Sequence, residues 1–185
     1  NFSLVANVFE KLENVSSRTA ITELLSTLFK EATPEEAGIL SYLMLGNLYP
    51  KFRSTTFNFA EKSMISFLEA ELFADKIVKK QKQLSFLGLF SPPEKAVGIN
   101  GKLAKKTKEL GDVGSAIFHL LKELEIEEGF GLSLFQVYED LKNIEKISGS
   151  GSQEIKAEML VNLVKKLSPI EAKFVVRIIL GKLRL

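Results

Sequence analysis

The sequence predicts an all-α protein of roughly ten to twelve helices, in two halves that an approximate two-fold axis relates. Apolar residues recur with helical spacing, and the alternating pattern that marks strands is nowhere sustained. An internal repeat supports the two halves, because residues 22–50 match residues 157–185 at a constant offset of 135, with ten identities in 29 positions. The similarity resumes upstream, so one predicted domain, 1–185, holds repeats at 8–50 and 137–185 and a middle segment at 51–136.

Each repeat is expected to form three helices. In both, the third helix begins with a capping box, Thr33 to Glu36 in the first copy and Ser168 to Glu171 in the second. There the hydroxyl accepts a hydrogen bond from a free amide, proline occupies the first turn, and glutamate reaches back. Between the repeats we expect a helix near 59–81, a loop near 84–100, and helices near 101–110 and 112–124.

A duplicated helical unit leaves two interpretations open. The two copies could form a clamp whose internal symmetry matches the approximate dyad of a DNA duplex, so that each half grips the backbone on one side of a central point. The symmetry could equally be the trace of a duplication without functional symmetry. A stacked solenoid is disfavoured, because the middle segment separates the copies.

The charged residues lie in blocks. Two blocks are basic: residues 75–108 hold nine basic and two acidic residues, and residues 141–185 hold nine basic and four acidic residues. The other two blocks are acidic: residues 1–74 hold six basic and nine acidic residues, and residues 109–140 hold one basic and eight acidic residues. Phosphate contacts dominate nucleic-acid affinity, so two basic regions in a chain of net charge +2 indicate a polyanion-binding face. Charge alone leaves a merely solvated surface as the alternative.

One face of the last predicted helix combines cations with a glycine. Lys173, Arg177, Gly181 and Arg184 are spaced by four, four and three residues, so we expect them together, opposite the apolar stripe. Because glycine has no side chain, a phosphate or a minor-groove edge could approach the main chain while the arginines bind beside it. The alternative is a glycine that ends the helix, with basic residues that complement its dipole.

Two glycine-containing turns are predicted to precede helices. The first, residues 148–152, leads into a helix start, where free amides and the positive end of the helix dipole bind anions, so a backbone phosphate would fit. A plain Gly/Ser linker is the alternative. The second, residues 111–115, follows the basic run 105–108, and it is no P-loop because the Gly-Lys-Ser/Thr ending is absent.

The sequence predicts neither a catalytic centre nor a metal site. It has no cysteine and a single histidine, His119, which excludes thiolate and multi-histidine metal sites. No nucleophile with its base, no paired-carboxylate motif and no nucleotide-binding glycine fingerprint is present. Because no apolar stretch reaches the roughly 20 residues that span a bilayer, we expect no membrane partner. The absence of cysteine is compatible with a reducing cytosol, and we expect a cytoplasmic, nucleoid-associated location.

Six segments carry a family resemblance: Val8-Phe9-Glu10-Lys11-Leu12 with Ser17-Arg18, residues 42–50, Gly111-Asp112-Val113-Gly114, Gly149-Ser150-Gly151-Ser152 with Lys156, Glu171-Ala172-Lys173-Phe174, and Gly181-Lys182-Leu183-Arg184-Leu185. Together they resemble the N-terminal DNA-binding domain of ATP-dependent DNA ligases of archaeal and bacterial type. The likeness covers nearly the whole chain. It implies an all-helical domain that encircles nicked double-stranded DNA together with two later domains and contacts the minor groove on both sides of the nick.

The resemblance also implies which residues contact DNA. They are the glycines at 111, 114, 149 and 151 and the segment Gly181-Lys182-Leu183-Arg184. With basic side chains as electrostatic anchors and the glycine turns presenting their amides, the predicted DNA-binding residues are Arg18, Gly111, Gly114, Gly149, Ser150, Gly151, Ser152, Lys156, Arg177, Gly181, Lys182 and Arg184. The family's catalytic lysine belongs to a Lys-x-Asp-Gly motif, which this sequence lacks. The chain should therefore be inactive alone and hold no cofactor, with ATP and Mg²⁺ expected in the full-length ligase. A non-enzymatic helical scaffold that binds a protein partner is the alternative function.

Residues 83–90 resemble the box with which some archaeal ligases bind a sliding clamp. A glutamine is followed three residues later by an apolar residue and then by a bulky pair: Gln83, Phe86, Leu89 and Phe90. Such a segment places side chains in a hydrophobic pocket of the clamp. Leu89 stands where an aromatic residue is usual, and an apolar loop that folds onto its own core is the alternative.

Overall fold

The computed structural model describes residues 1–50, 52–53, 55–73, 101–126 and 128–185. Within these ranges the chain forms nine α-helices and one π-helical turn, and no strand. The helices are α1 (Phe2–Glu13), α2 (Arg18–Glu31), α3 (Pro34–Leu43), α4 (Glu61–Leu68), α5 (Lys102–Leu110), α6 (Val113–Glu123), α7 (Leu134–Lys146), α8 (Ser152–Val164) and α9 (Pro169–Ile179), and the π-helical turn, Glu69–Phe73, continues α4. The all-α class is confirmed, although this helix number is slightly below the predicted ten to twelve.

The helices predicted for the middle segment agree with the structure where it is described. Helices α5 and α6 begin and end within one residue of the predicted 101–110 and 112–124. The helix predicted near 59–81 begins at Glu61 and is helical to Phe73, where the described part ends. The loop predicted near 84–100 lies outside the described residues.

The first helix shows how the apolar spacing builds the core. Its start is capped by the side chain of Asn1, which accepts a hydrogen bond of 3.1 Å from the Ser3 amide. Its buried side chains recur every three or four residues and therefore form one face: Phe2, Val5, Ala6, Phe9 and Leu12. This face joins a core cluster that includes residues of both repeats.

Both predicted capping boxes are present. At the start of α3, Thr33 Oγ1 accepts from the Glu36 amide at 3.2 Å, and Glu36 Oε2 accepts from the Thr33 amide at 3.1 Å. At the start of α9, Glu171 Oε2 accepts from the amide and the hydroxyl of Ser168, at 2.7 and 2.8 Å. Each box satisfies amides that a helix start would otherwise leave without partners.

The third helix of each repeat also ends in the same way. Gly46 after α3 and Gly181 after α9 adopt φ of +68° and +63°, a left-handed conformation that favours glycine. The following amide then donates back across the turn, from Asn47 to the Tyr42 carbonyl at 3.0 Å and from Lys182 to the Arg177 carbonyl at 2.8 Å. Both turns are Schellman motifs, so the repeat extends from sequence to hydrogen bonding.

Helix α9 lies at the centre of the described structure. Nearly every residue from Pro169 to Ile179 is buried, because α6 packs along one side and α1 along another. Phe174 meets Phe9 of α1 edge to face, with 5.4 Å between ring centroids. On the α6 side a glycine permits the close approach, since a Cβ added at Gly114 would lie 2.7 Å from the Lys173 carbonyl oxygen.

Glu69 links the two described segments that lie on either side of residues 74–100. Its carboxylate accepts hydrogen bonds from three amides at the start of α5: Gly101 at 3.2 Å, Leu103 at 2.6 Å and Ala104 at 3.1 Å. The negative charge also complements the positive end of the helix dipole. The start of α5 is therefore capped from the π-helical turn.

Candidate nucleic-acid interface

A buried ion-pair group surrounds Arg177 near the end of α9. The Arg177 side chain is 9% exposed, and its guanidinium donates from Nε to Asp112 Oδ2 at 2.9 Å and from Nη1 to Glu13 Oε1 at 2.6 Å. Nη2 donates to the Ser115 hydroxyl at 3.2 Å. The planar guanidinium suits this arrangement, because it presents donors in several fixed directions at once.

The neighbouring lysine of α9 is paired in the same manner. Lys173 Nζ donates to Glu10 Oε2 at 2.5 Å and to Glu13 Oε2 at 2.6 Å. Glu13 thus accepts from both cations, and α1 and α9 are aligned so that Glu10 faces Lys173 and Glu13 faces Arg177. We refer to Glu10, Glu13, Asp112, Lys173 and Arg177 as the buried charge cluster.

For Asp112 and Arg177, the contacts with their partners affect the pKa more than burial does. Burial alone would raise the pKa of Asp112, but hydrogen bonds from Arg177 and Ser115 lower it below its ordinary value. Burial alone would lower the pKa of Arg177, yet the contacts with Asp112 and Glu13 raise it. Both groups therefore stay charged at neutral pH.

The expectation that Lys173 and Arg177 share an exposed face with Gly181 and Arg184 is wrong. Both side chains are buried and fully engaged with carboxylates, whereas Gly181 and Arg184 lie beyond the end of α9 and are exposed. The polar side of this helix is covered by α1 and α6, which supply acidic partners. Arg177 therefore holds the interface together from within and does not present its guanidinium on the surface.

Two further predicted contact residues are also buried. Lys156 is 2% exposed, and its Nζ donates to the Phe57 carbonyl at 2.5 Å. Gly114 is packed against α9, where an added Cβ would lie 2.8 Å from Arg177 Cγ. The structure gives these two residues a packing role and places neither on the exposed surface.

The buried charge cluster brings three chain turns to one end of the molecule. Glu13 is the last residue of α1, Asp112 caps the start of α6, and Arg177 lies in the last turn of α9. The turns that follow or precede them contain the exposed residues Arg18, Gly111 and Gly181. Gly181 lies four residues beyond Arg177, about 6 Å along the helix axis.

The start of α8 lies beside the same end. Gln153 of α8 donates to the Asn58 carbonyl at 2.8 Å, while Lys182 forms an ion pair with Glu61, the first residue of α4. Asn58 and Glu61 are three residues apart, which limits their separation to about 10 Å. We call the exposed residues of these turns the turn face: Arg18, Gly111, Gly149, Ser150, Gly151, Gly181, Lys182 and Arg184.

Helix α8 begins on the turn face without a side-chain cap. Gly149 and Gly151 adopt φ of +97° and +75°, and the N-cap residue Gly151 has no side chain to accept from the first amides. The Ser152 amide donates to the Gly149 carbonyl at 3.3 Å, but no side chain caps the first turn of α8, so the positive end of its dipole suits an anion. Helices α5 and α6 differ, because the carboxylates of Glu69 and Asp112 already cap them.

The turn face also carries cations. Arg184 is exposed and makes no ion pair with any described residue, and Arg18 at the first position of α2 is exposed as well. Lys182 has Glu61 as its partner, so its charge is partly compensated. Arg53 is a further exposed cation near this face that the sequence analysis missed, because no motif marks it.

Some predictions fall outside what the structure describes. Gln83, Phe86, Leu89 and Phe90, the candidate clamp-binding residues, lie in the range 74–100. Among the described residues, no group of three or more histidine, aspartate or glutamate side chains could hold a metal ion. None of the described helices is both long enough and apolar enough to cross a membrane.

Comparison with known proteins gives a consistent result along the entire chain. A family model described as DNA ligase N terminus matches residues 1–185. The chain is 34% identical over 185 residues to a DNA ligase of Sulfurisphaera tokodaii and 32% identical over 185 residues to a DNA ligase of Pyrobaculum calidifontis, with 99% and 100% of the chain covered. It is 29% identical over 184 residues to a probable DNA ligase of Aquifex aeolicus, with 100% covered. The matched regions are 28%, 28% and 27% of these relatives, so the chain spans little more than a quarter of their length.

Proposed function

Because this chain belongs to the DNA ligase N-terminus family, we propose that it is the DNA-binding module of an ATP-dependent DNA ligase. It grips nicked duplex DNA through backbone and minor-groove contacts, and the remaining ligase domains seal the nick. The start of α8 on the turn face is the observation that carries this proposal. A helix start without a side-chain cap, preceded by left-handed glycines, suits a phosphate, and exposed arginines on neighbouring turns suit the flanking backbone.

The buried charge cluster gives this proposal a mechanical basis. A rigid protein surface binds DNA more tightly than a mobile one, because less conformational entropy is lost on binding. The ion pairs of Arg177 fix the α1 end, the α6 start and the α9 end relative to one another. The turns that carry Arg18, Gly111 and Gly181 are therefore held in position before DNA binds.

The chemistry of sealing belongs to other parts of the ligase under this proposal. ATP and Mg²⁺ act in the remaining domains, since the Lys-x-Asp-Gly motif is absent from this sequence. Under this proposal, the full-length ligase seals nicks in chromosomal DNA during replication, repair and recombination, in the cytoplasm. A sliding clamp is a second proposed partner, supported by the sequence of residues 83–90 alone.

Fluorescence anisotropy of a labelled nicked duplex, titrated with this chain over a salt series, tests the proposal. Each neutralised phosphate contributes about −0.9 to the slope of log affinity against log salt concentration. The double variant Arg18→Ala/Arg184→Ala is expected to weaken binding and to make the slope less steep by about 1.8. Addition of a sliding clamp to the same mixture tests the second partner.

The matched control is the double variant Lys30→Ala/Lys165→Ala. Both lysines are exposed, and they lie near the opposite ends of α2 and α8 from Arg18 and Gly151. The control removes the same net charge, so it is expected to bind almost as the unmodified chain does. Absence of DNA binding at low salt, or an affinity that does not change with salt concentration, would contradict the proposal. The alternative function, a helical scaffold that binds a protein partner, would then remain.

A further inference from the structure

The exposed turn after Tyr49 holds a cation on an aromatic platform. The Arg53 guanidinium carbon lies 3.8 Å from the centroid of the Tyr49 ring, and the Arg53 amide donates to the Pro50 carbonyl at 2.9 Å. Phe52, its neighbour, is 91% exposed. A cation stacked on a ring is restricted in direction, whereas a free arginine side chain samples many rotamers.

The platform under Arg53 is itself fixed. Tyr49 is 8% exposed, and its hydroxyl donates to Glu145 Oε2 of α7 at 3.3 Å. The preceding residue, Leu48, is held on both sides, since its amide donates to Thr55 Oγ1 at 2.8 Å and its carbonyl accepts from the Tyr138 hydroxyl at 2.6 Å. The ring beneath the guanidinium therefore has little freedom to move.

The chain on either side of this turn contacts residues that neighbour two separate parts of the turn face. Before it, an added Cβ at Gly46 would lie 3.6 Å from Leu183 Cβ, between Lys182 and Arg184. After it, the carbonyls of Phe57 and Asn58 accept from side chains of α8. Along the chain, the turn with Phe52 and Arg53 thus connects residues that contact the segment after α9 to residues that contact α8.

We propose that Phe52 and Arg53 form a further DNA contact, which bridges the segment after α9 and the start of α8. This inference rests on the proposed function. Stacking occupies the face of the Arg53 guanidinium and leaves its N–H edge free to bind a phosphate, and the side chain makes no ion pair with any described residue. Phe52 lies against the sugars of the minor-groove wall, so its apolar ring leaves water when DNA binds.

The two residues make different contributions, and the nicked-duplex titration separates them. Arg53→Ala is expected to weaken binding roughly three- to tenfold and to make the salt slope less steep by about 0.9, because one phosphate contact is lost. Phe52→Ala is expected to weaken binding while the salt slope stays unchanged, since an apolar contact releases no counterion. Arg53→Lys keeps the charge and is expected to restore the slope but only part of the affinity.

Lys30→Ala serves as the control for charge, and thermal unfolding of every variant serves as the control for folding. Residues 52 and 53 are exposed, and loss of the contact between Arg53 and Tyr49 costs little at an exposed site, so every variant is expected to unfold within about 4 °C of the unmodified chain. If the unmodified chain binds nicked DNA with a steep salt slope, but Arg53→Ala and Phe52→Ala bind equally well, this inference is wrong and the proposed function stands. If the unmodified chain itself does not bind DNA, both are wrong.

Discussion

Replacement of Arg177 by alanine tests whether this residue acts within the fold or on the DNA. The change leaves Asp112 and Glu13 without their shared cation and removes a buried side chain at the α1, α6 and α9 contact. Removal of one partner from a buried ion pair costs about 3–5 kcal/mol. Both carboxylates retain some hydration, at 21% and 22% exposure, and Glu13 keeps Lys173, so we expect the lower value, about 3 kcal/mol.

This loss of stability should be measurable as a lower Tm in thermal unfolding followed by far-UV circular dichroism. For a chain of this size, 1 kcal/mol shifts Tm by about 2–4 °C, so Arg177→Ala is expected to unfold about 6–12 °C below the unmodified chain. Arg184→Ala is the matched control, because this exposed arginine makes no ion pair with any described residue. Its change is expected to stay within about 0.5 kcal/mol.

The DNA titration completes this test. Arg177→Ala, measured well below its Tm, is expected to keep the salt slope of the unmodified chain, whereas Arg184→Ala is expected to reduce that slope. An Arg177→Ala variant with unchanged Tm and a reduced salt slope would refute the reasoning. The guanidinium would then be free for phosphate, and the original expectation from sequence would be right.

Two further perturbations address the same region of the fold. Gly114→Ala places a methyl group 2.7 Å from the Lys173 carbonyl oxygen and is expected to lower the free energy of unfolding in urea by about 1–3 kcal/mol. The control Gly38→Ala, inside α3, meets nothing within 4 Å and is expected to raise the free energy of unfolding by about 0.5–1 kcal/mol. Equal stability of both variants would mean that α6 can shift away from α9. The pKa of Asp112 is lowered on folding, so its stabilising contribution is complete above the unfolded value of about 3.9 and is lost as pH falls through the folded value. Urea unfolding below about pH 4 should show this loss, Asp112→Asn should reduce it, and an identical pH dependence in both proteins would contradict the assignment.

The parts of the fold that sequence could predict are those that local chemistry determines. A hydroxyl residue, a proline and a glutamate in order at Thr33 and Ser168 specify a helix start whatever lies around it, and both starts are confirmed. Gly181 ends its helix, as the alternative interpretation of that residue had it, and Gly46 ends α3 in the same left-handed turn. The glycine turn before Ser152 leads into a helix start, as its composition predicted.

The environment of the charged residues could not be predicted in the same way. A lysine or arginine opposite an apolar stripe gives the same pattern whether solvent or a second helix covers it. For Arg177 the difference is made by Glu13 and Asp112, which are distant in sequence and come close only when α1 and α6 pack on α9. Lys156 is a similar case, since its partner is a backbone carbonyl, which no side-chain pattern reveals.

The carboxylate of Glu69 has a consequence for how relatives of this chain can differ in length. It binds the amides of Gly101, Leu103 and Ala104, so it holds together the two described segments on either side of residues 74–100. Loop-closure entropy grows slowly with length, and a doubling costs only about 0.6 kcal/mol. Relatives can therefore differ in the number of residues between Glu69 and Gly101 at a small cost in closure entropy, while a carboxylate at position 69 still caps α5.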